Sequence, residues 1–532
     1  MSRTTRTRPL AQRLQRTPAA AVAVGALATC LAGVAAAPAA FAGGGQAFHL
    51  SSDFNGDGYE DLAVGAPTKT WGGVPQTGVV TVSYGGPQGP GIPGTQLWWR
   101  GAPDLAGGAY GPERFGTAIA AGDFDDDGYA DLAVGSPGKH HGNSSPDAGG
   151  ITVIMGSAAG LTPARSREIY QGFGANGTME DGDRFGASLV AGDFNRDGTA
   201  DLAVGAPGET TTQTRDGAVH VLYGIAGVAG EPQFTARPVL DEGHPEVPGF
   251  PAAGAGFGAA LATGDVTGDT YPDLLVGAPG AQHFTLLPGD PGGVTLTGAQ
   301  RVAPADLGES PSPGFGGVLA VGNFGRTHHA DVAIGRPSVS PGGITAAGAV
   351  LVAFGEPGRV GTSSTQHLRQ GSPWVGGNPA PHDRFGWSLV AGRFGHDGYD
   401  DLAVGAFGED SGGVPDAGAV HVLYGHHHGL RVEQPSVLQQ GAGGAEGAAQ
   451  AGDGFGDTLG AGDFDRDGRD DLVVGVFGER VGNEQPGAVQ LFRGAAGSVT
   501  PAGDQLWSFA TFAGQLGGAA TSGMGWGRGL VR

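Results

Sequence analysis

The sequence predicts an all-β chain, a seven-bladed β-propeller of four-stranded blades, and three observations predict it. One acidic phrase ending in a Gly-Ala-Pro-like signature recurs seven times. Each recurrence is followed by a short β-branched and aromatic run closed by glycine, and most are preceded by a Phe-Gly pair leading into small aliphatic residues. The repeated region shows no helical periodicity, so each unit reads as short strands between turns.

The phrase begins at Asp53, Asp123, Asp193, Asp265, Asn323, Arg393 and Asp463, with separations of 70, 70, 72, 58, 70 and 70 residues. A period of that length over a whole chain is the mark of a repeat architecture. Within each phrase the run Asp-Leu-Ala-Val-Gly or a near variant is one strand. A second strand follows, as in GVVTVSYG ending at Gly85, GAVHVLYG ending at Gly224 and, in the fourth unit, GGVTLTG ending at Gly298. The residues after Phe-Gly, as in RFGASLVAGDF from Arg184, are a third. About 30 residues separate the glycine from the next Phe-Gly, room for a fourth, outer strand such as Gln96–Trp99 or Arg167–Tyr170. Four strands per unit make a blade, and seven units make a ring.

A ring must close. The first unit has Gln46-Ala47-Phe48-His49-Leu50 where the others carry Phe-Gly, whereas Gly525–Leu530 stands where an eighth Phe-Gly would fall. The C-terminal segment is therefore expected to dock on the first blade and cover its open edge.

Residues 1–42 differ from the rest. They hold Arg3, Arg6, Arg8, Arg13 and Arg16 with no acid, then an Ala/Val/Leu run from about Ala19 to Ala37, then Ala40-Phe41-Ala42. This is the layout of a signal peptide cut after Ala42, leaving residues 43–532 as the propeller. A membrane anchor and lipidation at Cys30 are the alternatives; Pro38 and the small-residue cut site favour cleavage. On this reading the mature protein is secreted and extracellular, without a membrane span. Loss of the leader moves the net charge from −23 to −28 and removes the single cysteine, so no disulfide fixes the loops. That acidity excludes nucleic acid and anionic membrane as partners and makes cations the natural counterpart.

The phrase D-x-[DN]-x-D-G-x-x-D sets oxygen donors at alternate positions of a tight loop, the arrangement that wraps a hard divalent cation. The expected calcium ligands are Asp53, Asn55, Asp57 and Asp61 with the carbonyl of Tyr59; Asp123, Asp125, Asp127 and Asp131 with Tyr129; Asp193, Asn195, Asp197 and Asp201 with Thr199; and Asp463, Asp465, Asp467 and Asp471 with Arg469. Gly58 and its counterparts permit the turn. The fourth unit keeps Asp265, Asp269 and Asp273 but has Thr267 and Thr270, so it binds weakly at most. The fifth (Asn323, Gly325, Thr327, His329) and sixth (Arg393, Gly395) are expected to bind no metal. Acidic β-turns alone would explain the Asp and Gly content. They would not explain three or four carboxylates crowded into nine residues in four separate loops.

Phe115-Gly116 with Gly135-Ser136-Pro137, and Phe185-Gly186 with Gly205-Ala206-Pro207, resemble FG-GAP repeats, which occur in the N-terminal propeller of integrin α subunits and in bacterial secreted proteins. The resemblance covers nearly all of residues 43–532. It implies seven blades, calcium in the loops between first and second strands, and partner binding on the opposite face. There Thr68–Thr77, Gly138–Ala148 and Gly208–Asp216 would lie.

No nucleophile elbow, zinc helix or phosphate loop is present, so the chain reads as a non-enzymatic adhesion or binding module for an extracellular protein or glycan, acting as a monomer. The alternative is a secreted hydrolase with its site on the face opposite the calcium loops. The run His426-His427-His428 reads as a solvated loop, His140-His141 sits in a loop of the expected binding face, and the seven tryptophans read mainly as packing between blades.

Overall fold

The computed structural model describes residues 52–509, apart from 92–93, 109–110, 142–145, 228–232, 374, 396–397 and 483–484, together with Met1, Thr511 and Gly529–Leu530. The expected leader, Cys30, the region of Phe48, Trp374 and Trp526 lie outside the described residues. The chain divides into Met1–Leu31 and Ala32–Arg532, and only the second unit is described beyond its first residue. Among the described residues no helix is long and apolar enough to cross a membrane.

Seven antiparallel sheets follow one another along the chain. Blade 3 shows the plan: Ser188–Gly192, Asp201–Ala206, Ala218–Gly224 and Phe234–Ala236, paired in that order from inner to outer edge. The second strand of every blade is the Asp-Leu-Ala-Val-Gly run of the phrase, and in blade 3 it is buried along its whole length. Burial on both faces is what a near-continuous apolar run without alternation dictates. Blade 2 carries a fifth short strand, Gly174–Ala175, beside Thr162–Gln171.

The fourth unit departs from expectation. Its third strand is His283–Leu287, directly after a short turn, and GGVTLTG is not that strand. Gly293–Val294 instead pairs with Gly289–Asp290 in a small hairpin leading to the outer strand Gln300–Val302. The closing glycine is Gly289, whose N–H donates to Asp273 at 3.1 Å, as its counterparts do in the other blades. The glycine that leads into this strand in the other blades, as Gly-Ala-Val in blades 3, 5, 6 and 7, is absent here, which hid it.

The ring closes as the repeat pattern requires. Gly529–Leu530 pairs with Leu62–Ala66, Gly529 opposite Gly65 and Leu530 opposite Val64, and becomes the inner strand of blade 1. Among the described residues seven buried clusters form, each shared by two neighbouring blades; one joins Phe464, Val473 and Trp507 of blade 7 to Leu62 and Val64 of blade 1. The Phe-Gly phenylalanines 115, 185, 257, 315, 385 and 455 are all fully buried in these layers. The glycines explain the rest of the signature. A Cβ on Gly135 would lie 2.1 Å from the carbonyl oxygen of Gly186, so the Gly of one blade's Gly-Ala-Pro must lie bare against the Phe-Gly of the next.

A second set of bonds ties the loops into a ring. The residue before the last Asp of each phrase donates its N–H to the carbonyl of the first phrase residue in the preceding blade: Ala130 to Asp53 (3.0 Å), Ala200 to Asp123 (2.9 Å), Ala330 to Asp265 (2.9 Å), Asp400 to Asn323 (2.9 Å), Asp470 to Arg393 (3.1 Å) and, across the closure, Glu60 to Asp463 (3.5 Å). Blade 4 has Pro272 at this position, which has no N–H to give.

Candidate functional site

Antiparallel strands fix which loops share a face. The acidic loops join first to second strands and open on the same side as the turns between third and fourth strands. Connections from second to third strands, and from one blade's outer strand to the next blade, open on the other side.

In the four complete loops the sequence dictates a common hydrogen-bond pattern. The first Asp accepts N–H bonds from the fifth and sixth positions: at Asp53 from Asp57 (3.1 Å) and Gly58 (2.7 Å), at Asp123 from Asp127 (3.1 Å) and Gly128 (2.9 Å). Asp193 and Asp463 do the same with Asp197 and Gly198, and with Asp467 and Gly468. The fifth-position Asp then accepts the N–H of Tyr59, Tyr129, Thr199 or Arg469 at 2.9–3.1 Å. The sixth position has φ near +90° in each, which glycine supplies without strain.

This winding turns the carboxylates inward. Oxygens of Asp123, Asp125 and Asp131 lie within 4.8 Å of one another, as do those of Asp463, Asp465 and Asp467. In blades 1 and 3 the third position is Asn55 or Asn195, whose amide donates to Asp57 (3.1 Å) or Asp197 (2.9 Å). Two buried oxygens have no hydrogen-bond partner, Oδ1 of Asp125 and Oδ2 of Asp471. Buried acceptors of this kind carry a cost unless something meets them. An all-oxygen donor set with unmet acceptors in a crowded acidic loop fits calcium.

The ninth-position Asp does more than its expected part. Asp61 accepts the N–H of Phe54 (2.8 Å) and of Gly85 (2.7 Å), so one buried carboxyl ties the loop to the end of the third strand. Asp131 and Asp201 repeat this with Phe124 and Gly156, and with Phe194 and Gly224. Asp331 repeats it in blade 5 with Phe324 and Gly355, and Asp401 in blade 6 with Gly395 and Gly425, where the first and third ligand positions are lost. Burial pushes Asp61, Asp201 and Asp471 up to about 8; the backbone bonds oppose the rise and neighbouring carboxylates add to it. A clamp made in full in blades 1 to 6, and by the Gly494 bond alone at Asp471 in blade 7, is structural. Its persistence at Asp331 and Asp401 was the sequence signal for that role.

Two arginines outside the phrase reach the loops, and no local spacing announces them. Arg165, on the outer strand of blade 2, sets its guanidinium on Asp125 and on Asp127 (2.9 Å). Arg493, on the third strand of blade 7, sits on Asp465. In the degenerate loop of blade 6, Arg393 at the first position pairs with Asp400 at 3.1 Å, so a fixed cation stands where an ion's first ligand would be.

The opposite face is different in character. Apart from Met1, the large apolar side chains exposed among the described residues are Phe173 (52%), Phe250 (89%) and Val481 (45%), and all three belong to its loops. Phe173 stacks on Tyr170 at 5.1 Å, and Tyr170 packs against His141 at 4.2 Å. Around blades 6 and 7 Phe407 and Phe477 replace the Gly-Ala-Pro proline, and Trp387 lies 4.6 Å from Phe407. Trp98 and Trp507 are buried, and Trp71, Trp99 and Trp387 are half-buried. His427 and His428 are exposed on the acidic-loop side with rings 3.9 Å apart.

The FG-GAP repeat model matches residues 44–83, 115–154, 185–222, 257–296, 385–423 and 455–492. The phrase of the fifth unit, with the most degraded loop, falls between matches. A human phosphatidylinositol-glycan-specific phospholipase D is 34% identical over 178 residues, 31% of this chain and 19% of that protein. The Drosophila melanogaster integrin alpha-PS2 is 31% identical over 241 residues, 43% of this chain and 15% of that protein. The chain thus spans less than a fifth of these relatives. A periplasmic gluconolactonase of Pseudomonas aeruginosa aligns over 84% of this chain and 96% of its own, at 13% identity and a TM-score of 0.43.

Proposed function

Because the chain is an integrin-α-like β-propeller of FG-GAP repeats, we propose that it is an extracellular binding module whose acidic loops take calcium and whose opposite face holds a protein or glycan partner. Bound calcium would be held by the carboxylates of blades 1, 2, 3 and 7 and would supply the positive charge that those crowded loops lack. The observation that carries the reading is the segregation of the two faces. Carboxyl loops gather on one side, whereas Phe173, Phe250 and Val481 stand exposed on the other. Among the described residues, exposed large apolar side chains other than Met1 are thus confined to the face opposite the acidic loops. The test is capture of the full chain on a panel of immobilised glycans and extracellular proteins, with Phe250→Ser and Phe173→Ser beside the parent. Loss of capture at an unchanged melting temperature supports the reading; undiminished capture by the double variant sinks it.

The likeness to a phosphatidylinositol-glycan-specific phospholipase D favours a second reading, a secreted hydrolase. Turnover of phosphodiester or glycoside substrates by the purified chain would decide for it.

A further inference from the structure

We propose that Arg165 and Arg493 act as latches on the loops of blades 2 and 7, so that these two loops take a divalent cation more weakly than those of blades 1 and 3. The inference rests on the reading of the loops as cation sites and deepens it. Sequence alone gives the opposite order, because blades 2 and 7 offer four carboxylates, with Asp125 and Asp465 where blades 1 and 3 have Asn55 and Asn195. More anionic ligands ordinarily mean tighter calcium.

The structure reverses this because the extra carboxylate comes with its own cation. In blade 2 the Arg165 guanidinium lies on Asp125 and donates to Asp127 Oδ2 at 2.9 Å. In blade 3 the same oxygen of Asp197 is met by the neutral amide of Asn195 at 2.9 Å. In blade 7 Arg493 donates to Asp465, lies 3.9 Å from Asp471, and gives its other nitrogen to the carbonyl of Gln88 in blade 1. Each Arg therefore offsets the added ligand carboxylate, and in blade 7 Arg469 also pairs with Asp467 at 2.7 Å. In blade 1 the guanidinium of Arg466 lies against the turn glycine Gly58 instead.

The two kinds of loop differ in what must move. Asp125 and Asp127 must release a forked, charge-assisted contact before their Oδ2 atoms can turn to an ion. If Arg165 stays nearby, it faces a double positive charge at roughly 5 Å, which even in water weakens binding about tenfold. The unmet Oδ1 of Asp125 and Oδ2 of Asp471 show that the latch leaves part of each site unsatisfied. Arg493 also spans the seam between blades 7 and 1, so its latch lies across the ring closure.

Calorimetric titration of the full chain with calcium, comparing the parent with Arg165→Met, Arg493→Met and Arg165→Lys, tests this. The expected result is two tighter and two weaker sites in the parent, with each Met variant tightening one weak site roughly tenfold and lowering the calcium-free melting temperature. Arg165→Lys, which keeps the charge and loses the fork, should fall between. Calcium binding with parent affinities in every variant would overturn the latch and leave the cation reading intact. A parent that binds no calcium would overturn both.

Discussion

Asp331 offers a way to separate structure from metal binding, because it keeps the ninth-position carboxyl in a loop whose other ligands have become Asn323, Gly325 and Thr327. Its side chain is fully buried and accepts the N–H groups of Phe324 and Gly355, both at 3.0 Å. Asp331→Ala leaves the Gly355 N–H buried without an acceptor and the Phe324 N–H with only the Gly322 carbonyl, at 3.1 Å. At about 1–3 kcal/mol for an unmet group, the loss is about 1–3 kcal/mol. The cost should be the same with calcium and with chelator. Asp201→Ala, in a complete loop, should show a similar loss in chelator and a further loss in calcium, since its clamp has the same two bonds. Urea denaturation followed by tryptophan fluorescence measures both. A change below about 0.5 kcal/mol for Asp331→Ala, the range of an ordinary surface substitution, would refute the clamp; calcium sensitivity in that variant would refute the assignment of blade 5 as metal-free.

Removing residues 524–532 takes away the inner strand of blade 1 and exposes the edge of Leu62–Ala66, so the melting temperature should fall and self-association rise; unchanged melting and a monomeric profile would contradict the closure. Gly135→Ala puts a Cβ 2.1 Å from the Gly186 carbonyl, backbone that cannot step aside, and should destabilise by about 1–3 kcal/mol, read by the same denaturation. A pH dependence arises at the seams entering blades 3 and 6, where Gln171 and Gln370 donate to Glu209 and Glu409 beside Asp183 and Asp383. Burial raises Glu209 and Glu409 to about 7 and Asp183 to about 6. These acids hold protons more tightly folded than unfolded, so their contribution to stability falls as pH rises from their unfolded values near 4 to about 7. Glu409→Gln should flatten part of that slope in chelator-treated protein; an unaltered slope would rule the pair out as its source.

Much of this fold was legible because the repeat phrase combines a turn, a strand and its glycine signature in one string. The strand order, the buried phenylalanines and the closing segment all follow from it. Blade 4 was misread at its third strand because His283–Leu287 lacks the Gly-Ala-Val lead-in and the closing Gly289 was masked by a later glycine run. The acidic loops were legible as candidates from spacing alone. Their inequality was not: Arg165 lies 38 residues from Asp127, and Arg493 lies 28 from Asp465. Only folding brings Arg165, on the outer strand of blade 2, and Arg493, on the third strand of blade 7, to these loops. Asp61 and its counterparts were read as ligands alone because a motif records which residues recur, not which backbone groups they face.

The most direct test of the account is the metal content of the full chain after equilibration with calcium, paired with melting in calcium and in chelator. An ion held only by the folded state must raise its melting point. The account predicts about four calcium ions per chain, one for each complete loop, and a marked fall in melting temperature on chelation. No retained calcium and identical melting curves would contradict it and leave the acidic loops as structural turns.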